Sequence, residues 1–414
     1  MTMRPMIAGL VLFAALLSGP GRAAEPLLKP GGRLVFLGDS YVGDRGASAL
    51  VMDALALHHP GAAISVRTAF IRDVNFAATG LLPFFPATVD TDVLSVKPTV
   101  VLLAFGLERA NAKPRDLAFL RRFFVAPLAA MVEKLRVAGA KVILVTPGCI
   151  DPDKQPALKG GGEYNVAQTA QAIRDLAAQV HVPLVDVHAL MLRSQSQGKA
   201  ANPAFSLVKE GITLTAAGES RLAGAYLRGL GEDGKASGLT IDAAAGTAQA
   251  DRSTIANLAL AADRITFSRT DESLPAYFPA DAACAIAPDS SPASQEQYPL
   301  RITGLVAGRW KVSAESIEVG VFPAEALAAG VNLARRPGPW RELGARMHAM
   351  ARQQETLYTD RCTAVGRLNT PPEAEPERLT LLGKCDAYVE AFEKQRLAVV
   401  LAGRTWTWKI QRLP

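Results

Sequence analysis

The apolar positions of this chain fall into two textures. Between residues 31 and 230, short continuous apolar runs alternate with longer stretches whose apolar residues recur every three or four positions. Residues 34–37, 99–105 and 141–145 are such runs, and a run of this kind suits a strand covered on both faces. Residues 63–66 and 182–187 read as two further strands. Residues 48–57, 115–137, 164–180 and 215–227 read as helices. In the second of these helices, Leu117, Leu120, Phe124, Leu128, Met131 and Leu135 form one apolar stripe, which is read as core packing. Pro127 is expected to kink or split it, and Gly139 to close it. The alternation predicts an α/β fold: a doubly wound parallel sheet in three layers, joined by right-handed crossovers.

Residues 231–238 (Gly-Glu-Asp-Gly-Lys-Ala-Ser-Gly) are a polar break, and the texture changes beyond them. Short strand-like runs at 239–241, 264–267, 300–302, 310–312 and 317–321 predict a small β unit over 239–335, read as antiparallel. Residues 339–362 and 375–397 read as helices, split by Pro371-Pro372. The region 336–414 is thus mainly helical with a final strand at 406–410. Alternation there places Trp406, Trp408 and Ile410 on one face, expected to be buried against the β unit.

The first 23 residues have a basic start, a short apolar core and small residues at the end, which reads as a secretory signal peptide. No later stretch is long and apolar enough to span a membrane. The expectation is a secreted or periplasmic protein. The net charge of +6 is scattered without a Lys/Arg block, so no nucleic-acid partner is expected. The four cysteines form no CxxC pair, and no metal or cofactor is expected. Cys362 and Cys385, across one helical hairpin, are candidates for a disulfide.

Candidate chemistry gathers at Gly38-Asp39-Ser40. A serine at the carboxyl end of a buried strand lies where open α/β sheets place reactive groups. Gly38 permits the sharp turn. The same three residues also suit an ordinary strand-end turn. Of the five histidines, His58 and His59 read as surface residues at a helix end. His181 precedes a strand, and His348 lies in the C-terminal helical region. His188, in Asp186-x-His188 at a strand end, could supply a base.

Gly38-Asp39-Ser40 at the head of an alternating domain resembles the SGNH/GDSL hydrolase family. Arg72-Asp73-Val74-Asn75-Phe76-Ala77-Ala78-Thr79-Gly80 sits where that family has its glycine-bearing second block. Ala104-Phe105-Gly106-Leu107-Glu108-Arg109 sits at its Gly-x-Asn-Asp block. Val182-Pro183-Leu184-Val185-Asp186-Val187-His188 looks like its last strand. Lys209-Glu210-Gly211-Ile212-Thr213-Leu214 occupies its Asp-Gly-x-His-Pro block. Residues 269–275 and 325–334 resemble segments of long exported members with a C-terminal β and helical extension.

The resemblance implies a flavodoxin-like three-layer fold and serine ester hydrolysis. Ser40 would be the nucleophile, and the amides of Ser40 and of Ala78 or Gly80 would serve the oxyanion. The remaining positions depart from the pattern. Glu108 replaces the asparagine and has no N–H to donate. Thr213 replaces the histidine and cannot act as a base. Glu210 replaces the aspartate, and Arg109 follows Glu108 as a potential ion partner. The expectation is an esterase- or glycan-deacetylase-like protein with impaired catalysis, binding an acylated glycan or other small ester as a binding or scaffold module. The alternative is an active serine esterase or acyltransferase using Ser40 with a non-standard base such as His188.

Overall fold

The structure is a computed structural model that describes residues 27–71, 85–111, 117–279, 296–366, 368 and 370–414. The expected signal peptide, Ala78, Gly80 and Cys284 lie outside the described residues, as does the side chain of Ser40.

Five parallel strands form the first sheet: β1 (Arg33–Gly38), β2 (Ser65–Phe70), β3 (Val100–Ala104), β4 (Lys141–Val145) and β5 (Leu184–Val185). Their order is β2-β1-β3-β4-β5, so the winding reverses between β1 and β3. The continuous apolar runs form β1, β3 and β4 because both faces are covered. One face carries Leu34, Phe36, Val100, Leu102 and Ile143 against α2 (Gly46–His58), α6 (Val187–Ala201) and α7 (Ala216–Gly229). The other carries Val35, Leu37, Val101, Leu103 and Val142 against α4 (Ala126–Val137) and α5 (Gly162–Gln179). This is the expected three-layer α/β architecture. Two further helices, α1 (Ser40–Gly43) and α3 (Phe85–Asp92), follow β1 and precede β3.

Several local expectations need correction. The helix expected over 115–137 divides at a π-helical segment, Arg121–Val125, ahead of Pro127. Pro127 itself sits in the first turn of α4, where a missing N–H costs nothing. The last parallel strand is two residues long, because Asp186 caps α6 directly after it.

Beyond α7, nine strands and three α-helices complete the described chain. The hairpin β6 (Val208–Lys209) and β7 (Thr213–Leu214) precedes α7. Strands β8 (Gly238–Asp242), β9 (Thr247–Asp251), β12 (Pro299–Thr303) and β15 (Val331–Asn332) form one sheet, in the order β15-β12-β8-β9. There β8 and β12 pair in parallel, the one strand pairing of this sheet that departs from the antiparallel expectation. Their long separation in sequence supplies the crossover that parallel pairing requires. Strands β10 (Ser253–Ala261), β11 (Arg264–Asp271), β13 (Arg309–Ala314), β14 (Ile317–Pro323) and β16 (Thr405–Arg412) form an antiparallel sheet, in the order β10-β11-β16-β13-β14. The final strand thus inserts at its centre. Trp406, Trp408 and Ile410 are buried, and Trp408 stacks on Trp340 at 5.6 Å.

Helix α8 (Ala324–Ala329) closes the sheet bearing β12, and α9 (Pro339–Asp360) and α10 (Glu375–Ala402) pack beside each other. Helix α9 lies against α2 and β2. Every residue of α2 is consequently buried, Asp53 included. Asp53 meets His348 of α9 at 2.7 Å. Arg67 of β2 makes a two-pronged pair with Glu393 of α10 at 3.0 and 3.1 Å. The C-terminal helices therefore supply part of the covering layer of the first sheet.

No disulfide joins Cys362 and Cys385. Cys362 is buried with Tyr358 and Val389, whereas Cys385 lines an outer groove with Leu357, Ala364 and Tyr388. The two thiols serve different surfaces of the helix pair. His58 is also corrected: it is 6% exposed, because the segments carrying Glu232 and Glu296 close over the end of α2.

Candidate active site

Strand β1 ends at Gly38, and only glycine fits there. A Cβ would lie 2.1 Å from the Ala104 carbonyl oxygen on β3. The Asp39 amide donates to that carbonyl at 3.1 Å, and the Asp39 carbonyl starts α1 by accepting from the Val42 and Gly43 amides. Ser40 thus opens a helix at the carboxyl edge of a central strand, beside the β1/β3 reversal. This crevice is where open α/β sheets bind ligands.

The Asp39 carboxylate is buried and faces the turn after β3. Its Oδ2 accepts the Gly106 amide at 2.6 Å and the Glu108 amide at 3.4 Å. Burial pushes its pKa up to about 7; the Gly106 amide opposes the rise and the charge of Glu108 adds to it. Gly106 holds φ +114°, and a Cβ there would press on Thr169. Asp39, read from sequence only as part of a turn, therefore fixes the segment that carries Glu108 and Arg109. Arg109 is buried, with its guanidinium over the Phe119 ring at 5.9 Å.

Helix α1 contacts this turn on one side and β7 on the other. Thr213 lies on β7, paired with Lys209 across a turn whose Glu210 and Gly211 hold φ +51° and +81°. Glu210 is exposed and Thr213 half-buried. The Leu214 amide donates to Asp44 Oδ2 at 3.0 Å, which ties the strand to the end of α1. Helix α1 therefore lies between the turn that carries Glu108 and the strand that carries Thr213, and Asp44, which sequence reasoning missed, is tied to that strand. Asp44 is raised above the usual carboxylate range by burial, opposed by the Leu214 amide. Asp44 lies just past the end of α1, and nothing in the local sequence pattern marks its bond to the Leu214 amide.

Four of the histidines have described partners of their own. His188 opens α6, its amide held by Thr146 Oγ1 at 2.9 Å and its Nδ1 3.1 Å from the Gly148 carbonyl. Burial lowers its pKa. A Cβ on Gly148 would strike the Tyr41 ring, so Tyr41 packs against the backbone that His188 contacts. Asp186 has its own tasks: it caps α6 through the Ala189 amide and pairs with Arg174 at 2.9 and 3.1 Å. His58 and His59 both meet Glu232, and His348 meets Asp53. His181 occupies a turn at φ +54° before β5. Among the described residues no group of three or more His, Cys, Asp or Glu side chains is arranged to hold a metal ion.

The surroundings of α1 thus hold a serine position and the carboxylates of Asp39 and Asp44. A carboxylate accepts hydrogen bonds but cannot donate them to a developing oxyanion.

The family model for GDSL-like lipases/acylhydrolases matches residues 36–219. Among solved structures the chain is similar to a gut microbial diltiazem-metabolizing enzyme, with 15% identity and a TM-score of 0.70 over 95% of this chain and all of that one. It is also similar to a catalytic mutant of Axe2, an acetylxylan esterase from Geobacillus stearothermophilus, with 21% identity over 49% of this chain and 96% of that one, at a TM-score of 0.39. The lipase/acylhydrolase from Enterococcus faecalis shows 16% identity over 48% of this chain and 95% of that one, at a TM-score of 0.37. No curated protein sequence matches. The first of these structures shares the fold across both halves of the chain.

Proposed function

Because residues 36–219 match the family model for GDSL-like lipases/acylhydrolases, we propose that the chain is an exported protein of that family that binds an acylated glycan or similar small ester without hydrolysing it. The observation that carries this reading is the placement of the imidazoles. All five histidines lie among the described residues, and Thr213 stands on the strand beside α1 where the family resemblance calls for one. Without a base of suitable pKa, a serine hydroxyl stays protonated and is a weak nucleophile. Glu108 removes a donor and adds negative charge where an oxyanion would form. Loss of one such donor alone costs on the order of 100- to 1,000-fold in rate. Binding needs only the crevice, and Gly38, Asp39 and Gly106 maintain it.

The test is turnover of a panel of acetylated sugars and simple carboxylic esters by the wild type and by Ser40→Ala. Equal, background-level rates with retained ligand affinity are expected. A Ser40-dependent rate well above background overturns the reading.

One observation favours a second reading. If the His188 Nδ1–H donates to the Gly148 carbonyl, Nε2 is left as an acceptor on an imidazole kept neutral by burial. An active esterase or acyltransferase based on that nitrogen would lose its rate in both Ser40→Ala and His188→Ala.

A further inference from the structure

A second cavity lies at the opposite end of the sheet from Ser40. It is a groove of about 540 Å3 between the amino ends of β1, β2 and β3 and one face of α10. Its sheet wall carries Arg33, Ser65, Arg67, Ser95 and Lys97; its helix wall carries Asp386, Glu390, Glu393, Lys394 and Leu397. The helix residues recur at spacings of four, three, one and three, so one side of α10 faces the groove.

The charges divide into spent and unspent. Arg67 and Glu393 neutralise each other at 3.0 Å, both nearly buried. Asp386 holds Arg361 at 2.9 Å. Arg33, Lys97 and Lys394 enter no ion pair among the described residues, and neither does Glu390. The Arg33 Nε donates to the Lys97 carbonyl at 2.7 Å, which fixes its guanidinium at the rim. The Arg361 that holds Asp386 also serves Asp92 at 3.0 Å, so the four cations of the lining face three carboxylates and leave a surplus of one positive charge. Two non-glycine residues of the lining, Ala63 and Lys97, hold left-handed φ of +49° and +50°, so the rim is shaped at a conformational cost. The volume lies in the range of small-ligand sites, which favour seams between parts of a fold.

We propose that this groove binds an acidic saccharide of one or two sugar units, through Arg33, Lys97 and Lys394. The surplus charge selects an anionic ligand over a neutral one. Ser65 offers a hydroxyl to a sugar hydroxyl group, Ser95, whose own hydroxyl donates to the Thr91 carbonyl, offers an acceptor, and Val96 with Leu397 offers an apolar patch to a ring face. The acid is a carboxylate or a phosphate, and the experiment separates them. The site is independent of Ser40.

The test is calorimetric titration of the intact chain with digalacturonate, with a hexose phosphate and with a neutral disaccharide. Binding of one charged ligand and not of the neutral one is expected, weakening about tenfold or more as salt is raised across the range in which charges are screened. Lys97→Ala and Lys394→Ala should each weaken it about tenfold, as expected for loss of one charge-assisted contact. Both side chains are exposed, so thermal melting should not move. Ser40→Ala should bind the charged ligand as the wild type does, which separates this site from the crevice. No binding of either charged ligand tighter than about 1 mM, equal binding of the neutral one, or unaltered affinity in both lysine variants overturns the proposal.

Discussion

His58 is the residue whose titration should be most visible in the stability of this protein. Its Nδ1 lies 3.0 Å from Glu232 and its Nε2 3.4 Å from Glu296, with all three side chains nearly buried. Burial alone would lower its pKa. The charge of Glu296 and the hydrogen bonds to Glu232 and Glu296 outweigh burial and hold it up at about 10. Lifting an imidazole from 6.5 to about 10 corresponds to about 5 kcal/mol. The Glu232 carboxyl, which burial would raise, is instead held down at about 2 by hydrogen bonds from His58 and His59, equivalent to about 3 kcal/mol. The Glu232 contact is common to both figures, so they are not added; the excess on His58 reflects its second carboxylate. Because the folded pKa of His58 is raised, its stabilisation is complete below pH 6.5 and is lost as pH rises through about 10. Glu232 acts oppositely, complete above about 4.5 and lost only as pH falls through 2. Urea denaturation followed by tryptophan fluorescence at pH 6, 7.5, 9 and 10 should show wild-type stability falling across that range by up to about 5 kcal/mol. His58→Gln should be less stable at pH 6 by about 3 to 5 kcal/mol, since it strands buried carboxylates, and its further loss on going to pH 10 should be smaller than the wild type's by about the same amount. Wild-type and variant curves that run parallel from pH 6 to 10 would refute the reasoning.

Other outcomes follow from the crevice and the helix pair. Glu108→Asn with Thr213→His should yield Ser40-dependent ester turnover that neither single change gives, because the members of a triad act as a unit; steady-state rates of the three variants, each with and without Ser40→Ala, decide it. Asp39, raised by burial to about 7, contributes stability that is complete below pH 3.8 and lost as pH rises through 7. Asp39→Asn keeps an acceptor for the Gly106 amide and should abolish that dependence, a difference of up to about 4 kcal/mol between pH 4 and 8 in matched denaturation curves. Cys362 and Cys385 should both be alkylated after unfolding without reductant, as read by peptide mass mapping; a crosslinked peptide pair would contradict the arrangement.

What could be read from the sequence was whatever local burial dictates. Strands β1, β3 and β4 are apolar throughout because helices cover both faces, so their runs announced them. Strands β9 and β10 escaped notice because much of their surface is exposed, and Thr-Ala-Gln-Ala-Asp carries no apolar alternation. His58 looked like a surface residue because its partners, Glu232 and Glu296, lie 174 and 238 positions away. At the crevice, Glu108, Glu210 and Thr213 were found through the family pattern, and periodicity alone would not have marked them. Asp39 was taken for a turn former, since nothing local shows that its carboxylate reaches the amides of Gly106 and Glu108.

The C-terminal half bears on the crevice through α2. That helix leads directly from the α1 turn, and its complete burial depends on α9. Glu219 of α7 packs onto Gly46 at the start of α2, where a Cβ would overlap its carboxyl group, and Arg352 of α9 reaches Glu219 at 3.7 Å. Further along, Asp53 meets His348, and Arg396 of α10 donates to Gln354 of α9 at 3.0 Å. Buried ionic groups of this kind add little net stability over apolar packing, but removing one partner strands the other at about 3 to 5 kcal/mol. Their effect is to make one docking of α9 and α10 strongly preferred over neighbouring ones. The position of α1 therefore depends on two sets of contacts: the strand-end bonds of Gly38 and Asp39, and the charged seam behind α2. Glu108 enters the first set through its backbone amide, which any residue but proline would supply. The crevice can hold its shape while its chemistry differs, which is the physical condition that a binding protein built on a hydrolase fold requires.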